Sequence, residues 1–202
     1  QNFCDVTYTL QKSYNNLATQ GNTSSLVIYL SANDIADMYL TPPICQTDRT
    51  YLTLLRDSLF SPFGYANKEV NRTHAMAPST FAEDVFPPYV AAFSLYMDTG
   101  RLHLSFTEPI DLASFTLDGL TIQSRSYLGD ETNDPVVEAQ TYDLVDMGAS
   151  LLTLSDKQRS LVYQLGDFNM NRIKSIIGLA VDRETTFLSA WKPFVNDTTG
   201  IA

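Results

Sequence analysis

The sequence predicts an all-β fold, a sandwich of short strands in which one brief helix interrupts each half. Three observations carry that expectation. Apolar and polar residues alternate with period 2 in many runs, the runs recur at intervals of roughly 8–12 residues, and clusters of Asp, Asn, Gly, Ser and Pro separate them. Arg101–Phe106 is the clearest case: Leu102, Leu104 and Phe106 fall on one face, His103 and Ser105 on the other.

The elements follow in chain order. Val6–Leu10, Leu26–Leu30 and Tyr51–Leu55 read as strands of the first part. Between the last two, Asp34–Leu40 reads as a short helix stopped by Pro42-Pro43, because proline lacks the N–H that the next turn needs. Tyr89–Met97, Arg101–Phe106, Leu120–Gln123, Val137–Leu144, Leu151–Leu154, Leu161–Leu165 and Thr186–Ala190 read as strands of the second part. A second helix is expected to start at Asp167 as its cap, to bury Phe168, Ile173, Ile176 and Ile177 along one stripe, and to end at Gly178.

The two helical segments belong to an internal repeat. Residues 26–44, LVIYLSANDIADMYLTPPI, lie over 161–179, LVYQLGDFNMNRIKSIIGL, at a constant offset. Asp48-Arg49 answers Asp182-Arg183, Thr50-Tyr51-Leu52 answers Thr186-Phe187-Leu188, and Gly64-Tyr65-Ala66 answers Gly200-Ile201-Ala202. Upstream, Thr7-Tyr8-Thr9-Leu10 answers Thr141-Tyr142-Asp143-Leu144. The second copy is preceded by a strand-rich stretch from Pro87 to about Glu138 that has no counterpart before the first. Residues 1–86 therefore read as an incomplete, C-terminal half-module with its linker, and 87–202 as a nearly complete module. Asn67–Asp84 reads as a connector or as a strand lent outward.

Charge narrows the partners. The 202 residues carry 13 Lys and Arg against 23 Asp and Glu, a formal charge of −10. That balance argues against nucleic acid and anionic lipid, which demand clustered cations. No run approaches the roughly 18 consecutive apolar residues of a membrane-spanning helix, so no membrane insertion is expected. The chain begins at Gln1, which fits either a removed targeting peptide or a fragment.

The stretch Gly100-Arg-Leu-His-Leu-Ser-Phe106-Thr-Glu108-Pro109-Ile-Asp111-Leu-Ala-Ser114-Phe resembles tandem immunoglobulin-like β-sandwich repeats of large bacterial and algal extracellular surface and appendage proteins. Their pattern is a strand ending in F-S/T-E-P-V/I-D, then Ser or Thr and a second apolar strand. The later signatures have counterparts at Tyr142-Asp143-Leu144, at the short helix near 169–177, at Thr186-Phe187-Leu188-Ser189 and at Asp197–Gly200. The resemblance covers 87–202 well and 6–86 partly, and the first copy lacks the F-T-E-P half. It implies an architectural, cell-surface role and names no ligand.

Few residues suggest chemistry. Cys4 and Cys45 fall just before a strand and just after the short helix of the first copy and have no counterpart cysteines in the second; they read as a disulfide stabilising an incomplete half-module, or as two buried thiols. Asn22, Asn71 and Asn196 open N-x-S/T sequons and are candidate glycan carriers in a secreted chain. The acidic loop holding Asp130, Glu131 and Asp134 is a weak calcium candidate without EF-hand spacing. Two histidines, His74 and His103, and the absence of HExxH, GxSxG or a phosphate-binding loop argue against an enzyme and imply no cofactor. The 11 Tyr, 11 Phe and Trp191 fit core packing better than sugar stacking.

The expected function is that of an extracellular structural subunit. A half-sandwich exposes an apolar face and unpaired edges, which strands from a neighbouring protomer would cover. Self-association of that kind runs head-to-tail into a filament or surface array, with covalent glycans on exposed faces. A chain excerpted from a longer tandem array fits the same pattern. The alternative class is an adhesin or carbohydrate-binding module using exposed Tyr or Trp.

Overall fold

The computed structural model describes residues 6–11, 27–42, 44–45, 50–61, 63–126, 139–190 and 193–202. The chain divides into two compact units, Gln1–Val85 and Phe86–Ala202. The described residues are mostly antiparallel β with two short α-helices, and no helix among them is long and apolar enough to cross a membrane.

The second unit holds nine strands among its described residues. β1 (Val90–Tyr96), β2 (Arg101–Phe106), β6 (Ser150–Leu154) and β7 (Ser160–Gln164) form one sheet in the order β1-β2-β7-β6. β4 (Leu120–Gln123), β5 (Thr141–Asp143) and β8 (Phe187–Ala190) form another in the order β5-β4-β8. The two-residue strands β3 (Ile110–Asp111) and β9 (Asn196–Asp197) pair with each other. All pairings are antiparallel.

The period-2 pattern in β2 does what it predicts: Leu102, Leu104 and Phe106 are buried, and the residues between them are not. β4 breaks alternation, with all four side chains buried, as befits a central strand covered on both faces. Its Leu120 and Ile122 join Leu104, Leu161 and Leu144 in one apolar cluster fed by both sheets. Each of these fully buried aliphatic side chains contributes roughly 1.5–3 kcal/mol by leaving water.

The helix of this unit, α2 (Asp167–Ser175), differs from expectation in three ways. Its cap is Gly166, without a side-chain bond, and Asp167 is its first residue. Glycine is required there because a Cβ on residue 166 would lie 2.3 Å from the Met147 carbonyl oxygen. Its buried face is Asn169, Met170 and Ile173, spaced at i, i+1 and i+4, so Phe168 falls on the other side and is 45% exposed. The helix ends before Ile176 and Ile177, and Ile177 is 95% exposed. Gly178, at φ 84°, turns the chain beyond the end.

The first unit is built differently. α1 (Ala32–Tyr39) starts two residues before the expected Asp34, capped by Ser31, whose Oγ accepts from the Asp34 N–H at 3.0 Å. The expected strands are not regular strands among the described residues: 6–10 has no assigned pairing, Ile28 makes a single bridge, and 51–55 has only isolated bridges. Leu26, the first residue of one of these runs, lies outside the described residues. The physical reason is that alternation alone does not make a strand; a neighbour must complete the ladder. Nor does all of 67–84 project outward: Val70 and Met76 fold back and bridge to Leu54 and Leu52.

Candidate functional site

Each unit fastens its helix to an upstream segment by a buried polar clamp. In the first unit Asp34, the third residue of α1, has no solvent exposure. Its Oδ1 accepts from the Tyr8 hydroxyl and from the Gln11 N–H, both at 2.8 Å, and its Oδ2 accepts from the Ser31 hydroxyl at 2.6 Å. Tyr8 also reaches Asp37 Oδ2 at 3.3 Å. The Ser31 hydroxyl, helped by Gln11 and Tyr8 and opposed by burial, holds the Asp34 carboxyl below its ordinary range. Burial first, then the neighbouring carboxylates, holds the Tyr8 phenol above its own.

In the second unit the third residue of α2 is Asn169, equally buried. Its Oδ1 accepts from the Tyr142 hydroxyl and the Val145 N–H, both at 3.0 Å, and its Nδ2 donates to the Val145 carbonyl at 2.7 Å. Tyrosine, a backbone N–H three residues later and the third helical residue thus meet in the same way in both units.

Two turns agree as well. Cys45 and Ala180 both sit at positive φ, 58° and 53°, which non-glycine residues seldom adopt. At matching places in the repeat, Ser61 N–H donates to Tyr65 O at 2.8 Å and Asp197 N–H to Ile201 O at 2.8 Å, with Gly64 and Gly200 at φ 82° and 95° inside the turns.

What differs is cover. Leu144, after β5 and two residues after Tyr142, is 0% exposed, whereas Leu10, two residues after Tyr8, is 41% exposed. Tyr51, Leu52, Leu55, Phe60, Phe63 and Tyr65 are all more than half exposed, Phe63 to 86% and Tyr65 to 76%. This apolar display, beside backbone that lacks a sheet, is the candidate interaction site.

The residues singled out from the sequence are scattered. Cys45 is a free thiol, its Sγ 3.8 Å from Met38 Sδ, and burial pushes its pKa up; Cys4 lies outside the described residues, as do Asn22, Asp130, Glu131, Asp134 and Trp191. Asn71 is exposed at the cap of a 3₁₀ turn, Arg72–His74, where its Oδ1 accepts from Thr73 N–H at 3.1 Å and Thr73 Oγ1 at 2.7 Å. Asn196 is half-buried in β9, and its N–H donates to Ser114 Oγ at 2.7 Å. His103 is half-buried with its ring 4.9 Å from that of Tyr96, and His74 is exposed.

The clamp residues were aligned by the repeat, Tyr8 over Tyr142 and Asp34 over Asn169, yet nothing in their types announced a shared contact. The available signal was a polar residue at the third helical position of both copies. Comparison with protein-family models, with curated proteins and with solved structures found no match.

Proposed function

We propose that the chain is an extracellular structural subunit of two immunoglobulin-like sandwich modules, the first incomplete, which assembles head-to-tail into a filament or surface array. The observation that carries this reading is the contrast between the units. The second encloses a cluster of aliphatic residues fed by two sheets, while the first leaves six large apolar side chains from Tyr51 to Tyr65 more than half exposed beside segments that carry only isolated bridges among the described residues. Exposed apolar surface beside unpaired edges is a liability in a solitary molecule and an asset in one completed by a neighbour. Glycans at Asn22, Asn71 and Asn196 would keep other faces from associating.

Sedimentation of the purified chain across a wide concentration range tests it. Polymers that grow with concentration and appear as filaments or sheets in negative stain are the expected result. A chain that stays monomeric and binds an oligosaccharide through Phe63 or Tyr65 would replace this reading with the adhesin one.

A further inference from the structure

A tightly bonded hairpin spans residues 59–67 of the first unit. Ser61 N–H donates to Tyr65 O at 2.8 Å and Asn67 N–H to Leu59 O at 2.9 Å, which pairs Phe60 with Ala66 between them. Ser61 O accepts from Gly64 N–H at 2.9 Å, and Ser61 Oγ from Tyr65 N–H at 3.0 Å. The Asn67 side chain ties the base: its Oδ1 accepts from Leu59 N–H at 2.8 Å, and its Nδ2 donates to Leu55 O and Lys68 O, both at 2.8 Å. The second unit makes the equivalent turn from polar residues. There Thr199 stands in the place of Phe63, and Asp197 Oδ1 accepts from Thr199 N–H at 2.8 Å and from Ile201 N–H at 2.7 Å. The turn itself has no need of Phe63.

Its rings lie on every side. Successive residues of an extended segment face opposite ways, and cross-strand partners share a face. Phe60 with Ala66 therefore occupies one face of the hairpin, Tyr65 with Ser61 the other, and Phe63 the tip. All three rings are more than half exposed. A hairpin docked on a folded partner needs rings only on the face that meets it, whereas one surrounded by hydrocarbon needs them on both faces and at the tip. From Leu59 to Ala66 no residue is charged, and the only side-chain hydroxyls are those of Tyr65 and of Ser61, which already accepts from Tyr65 N–H. That leaves little to pair with the hydroxyls of a sugar. Charge begins just behind, where the cations Arg56 and Lys68 and the anions Asp57 and Glu69 line one recess with Asn67. An apolar tip, a tyrosine and then balanced charge follow the order of a bilayer from acyl chains to headgroups.

We propose that the 59–67 hairpin dips its tip into the surface of a zwitterionic phospholipid bilayer. Phe60, Phe63 and Tyr65 enter the acyl boundary, each burying roughly 150–250 Å², while Arg56, Lys68, Asp57 and Glu69 meet the phosphate and ammonium groups of the headgroups. The contact touches the membrane and does not span it. The choice of lipid follows from charge: a chain of formal charge −10 is repelled by an anionic surface, and anionic lipids belong to the cytoplasmic leaflet. The inference goes beyond the assembly reading, to which it leaves Tyr51, Leu52 and Leu55. An assembled array would hold a membrane through many such hairpins at once, so that weak single contacts add up.

The test is flotation of the dilute, intact chain with phosphatidylcholine vesicles, beside vesicles containing phosphatidylserine. The chain should float with phosphatidylcholine, and Phe63→Thr, the residue the second unit uses in the same turn, should weaken that partition roughly tenfold or more. Ile177→Thr, which removes an equally exposed apolar side chain from the second unit, should leave it unchanged. In a Phe63→Trp chain the added indole emission should move to the blue on vesicles and be quenched by lipids brominated in their acyl chains. A chain that does not float, or that floats equally well with Phe63→Thr, overturns the insertion and leaves the assembly reading standing. An equal loss in Ile177→Thr shows general stickiness and overturns it too, and tighter binding to phosphatidylserine overturns the choice of lipid. A blue shift in the Phe63→Trp chain that needs only concentration, without vesicles, makes a second copy the occupant and returns the hairpin to the assembly reading; one that needs only a soluble oligosaccharide makes a sugar the occupant.

Discussion

Asp34 and Asn169 occupy the same place in two units that otherwise differ in how far their apolar side chains are covered. Each is the third residue of its helix, each is fully buried, and each accepts from a tyrosine hydroxyl and from the backbone N–H three residues after that tyrosine. The surrounding apolar residues tell a different story, because Leu144 is enclosed while Leu10 is open. Hydrogen-bonded clamps and tight turns need only the residues that make them, so both units can hold them whatever the extent of their sheets. A core needs area from every strand that encloses it, and among the described residues the first unit has no regular strand to supply it.

The largest effect expected from this contrast is in the leucines. Leu144→Ala removes a fully enclosed side chain and should cost about 2–5 kcal/mol in the second unit. Leu10→Ala, in dilute chain, should cost well under half as much, since much of that side chain already meets water. Denaturant unfolding followed by hydrogen exchange in each unit separately would measure both. Equal costs at the two positions would mean that the first unit encloses Leu10 in solution, and the comparison would collapse.

The helix starts give the next contrast. At Gly166 a methyl group would meet the Met147 carbonyl at 2.3 Å, so Gly166→Ala forces backbone apart and should cost roughly 1–3 kcal/mol. At the equivalent Ser31 the side chain is the cap, and Ser31→Ala should cost roughly 1–3 kcal/mol through loss of its bonds to the Asp34 N–H and to the buried Asp34 carboxylate. Thermal unfolding of the two variants orders them. A Gly166→Ala chain as stable as wild type would show that the 147–148 loop can yield.

How much of this was legible depended on how far each signal reached along the chain. The β2 alternation was readable because three inward residues sit two apart in one segment, and the run Leu120–Gln123 was readable because β-branched and aliphatic residues crowd it. The start of α2 was misread: Asp167 looks like a cap, but a close approach from Met147, twenty residues away, demands glycine at 166. The pairs Ile110–Asp111 and Asn196–Asp197 were invisible, since two residues carry no period. The first unit's strands were over-read for the opposite reason: Val6–Leu10 and Tyr51–Leu55 have the pattern of strands, and the sequence pattern cannot say whether a neighbour is there to pair with them. The clamps lay in plain view in the repeat alignment, but a contact between residues 26 or 27 positions apart has no local signature.

The smallest effect separates the clamps by acid. Asp34 titrates and Asn169 does not. Because the folded carboxyl is held below its unfolded value of about 3.9, the stability it lends is present above that pH and is lost as pH falls through the folded value. The protonated acid can still accept from Tyr8 and Gln11, so the loss is the difference between charge-assisted and neutral hydrogen bonds, roughly 1 kcal/mol. On the alkaline side both clamps respond with the same sign, because burial is the largest cause raising both the Tyr8 and the Tyr142 phenol; each lends stability below about pH 10 that is lost as pH rises through its folded value. Amide exchange near α1 and near α2, followed from neutral pH down to pH 2, should therefore show α1 loosening first, and Asp34→Asn should flatten that response without touching α2. If both helices loosen together, or if the Asp34→Asn chain keeps the wild-type acid response, the carboxylate is not what distinguishes the two clamps.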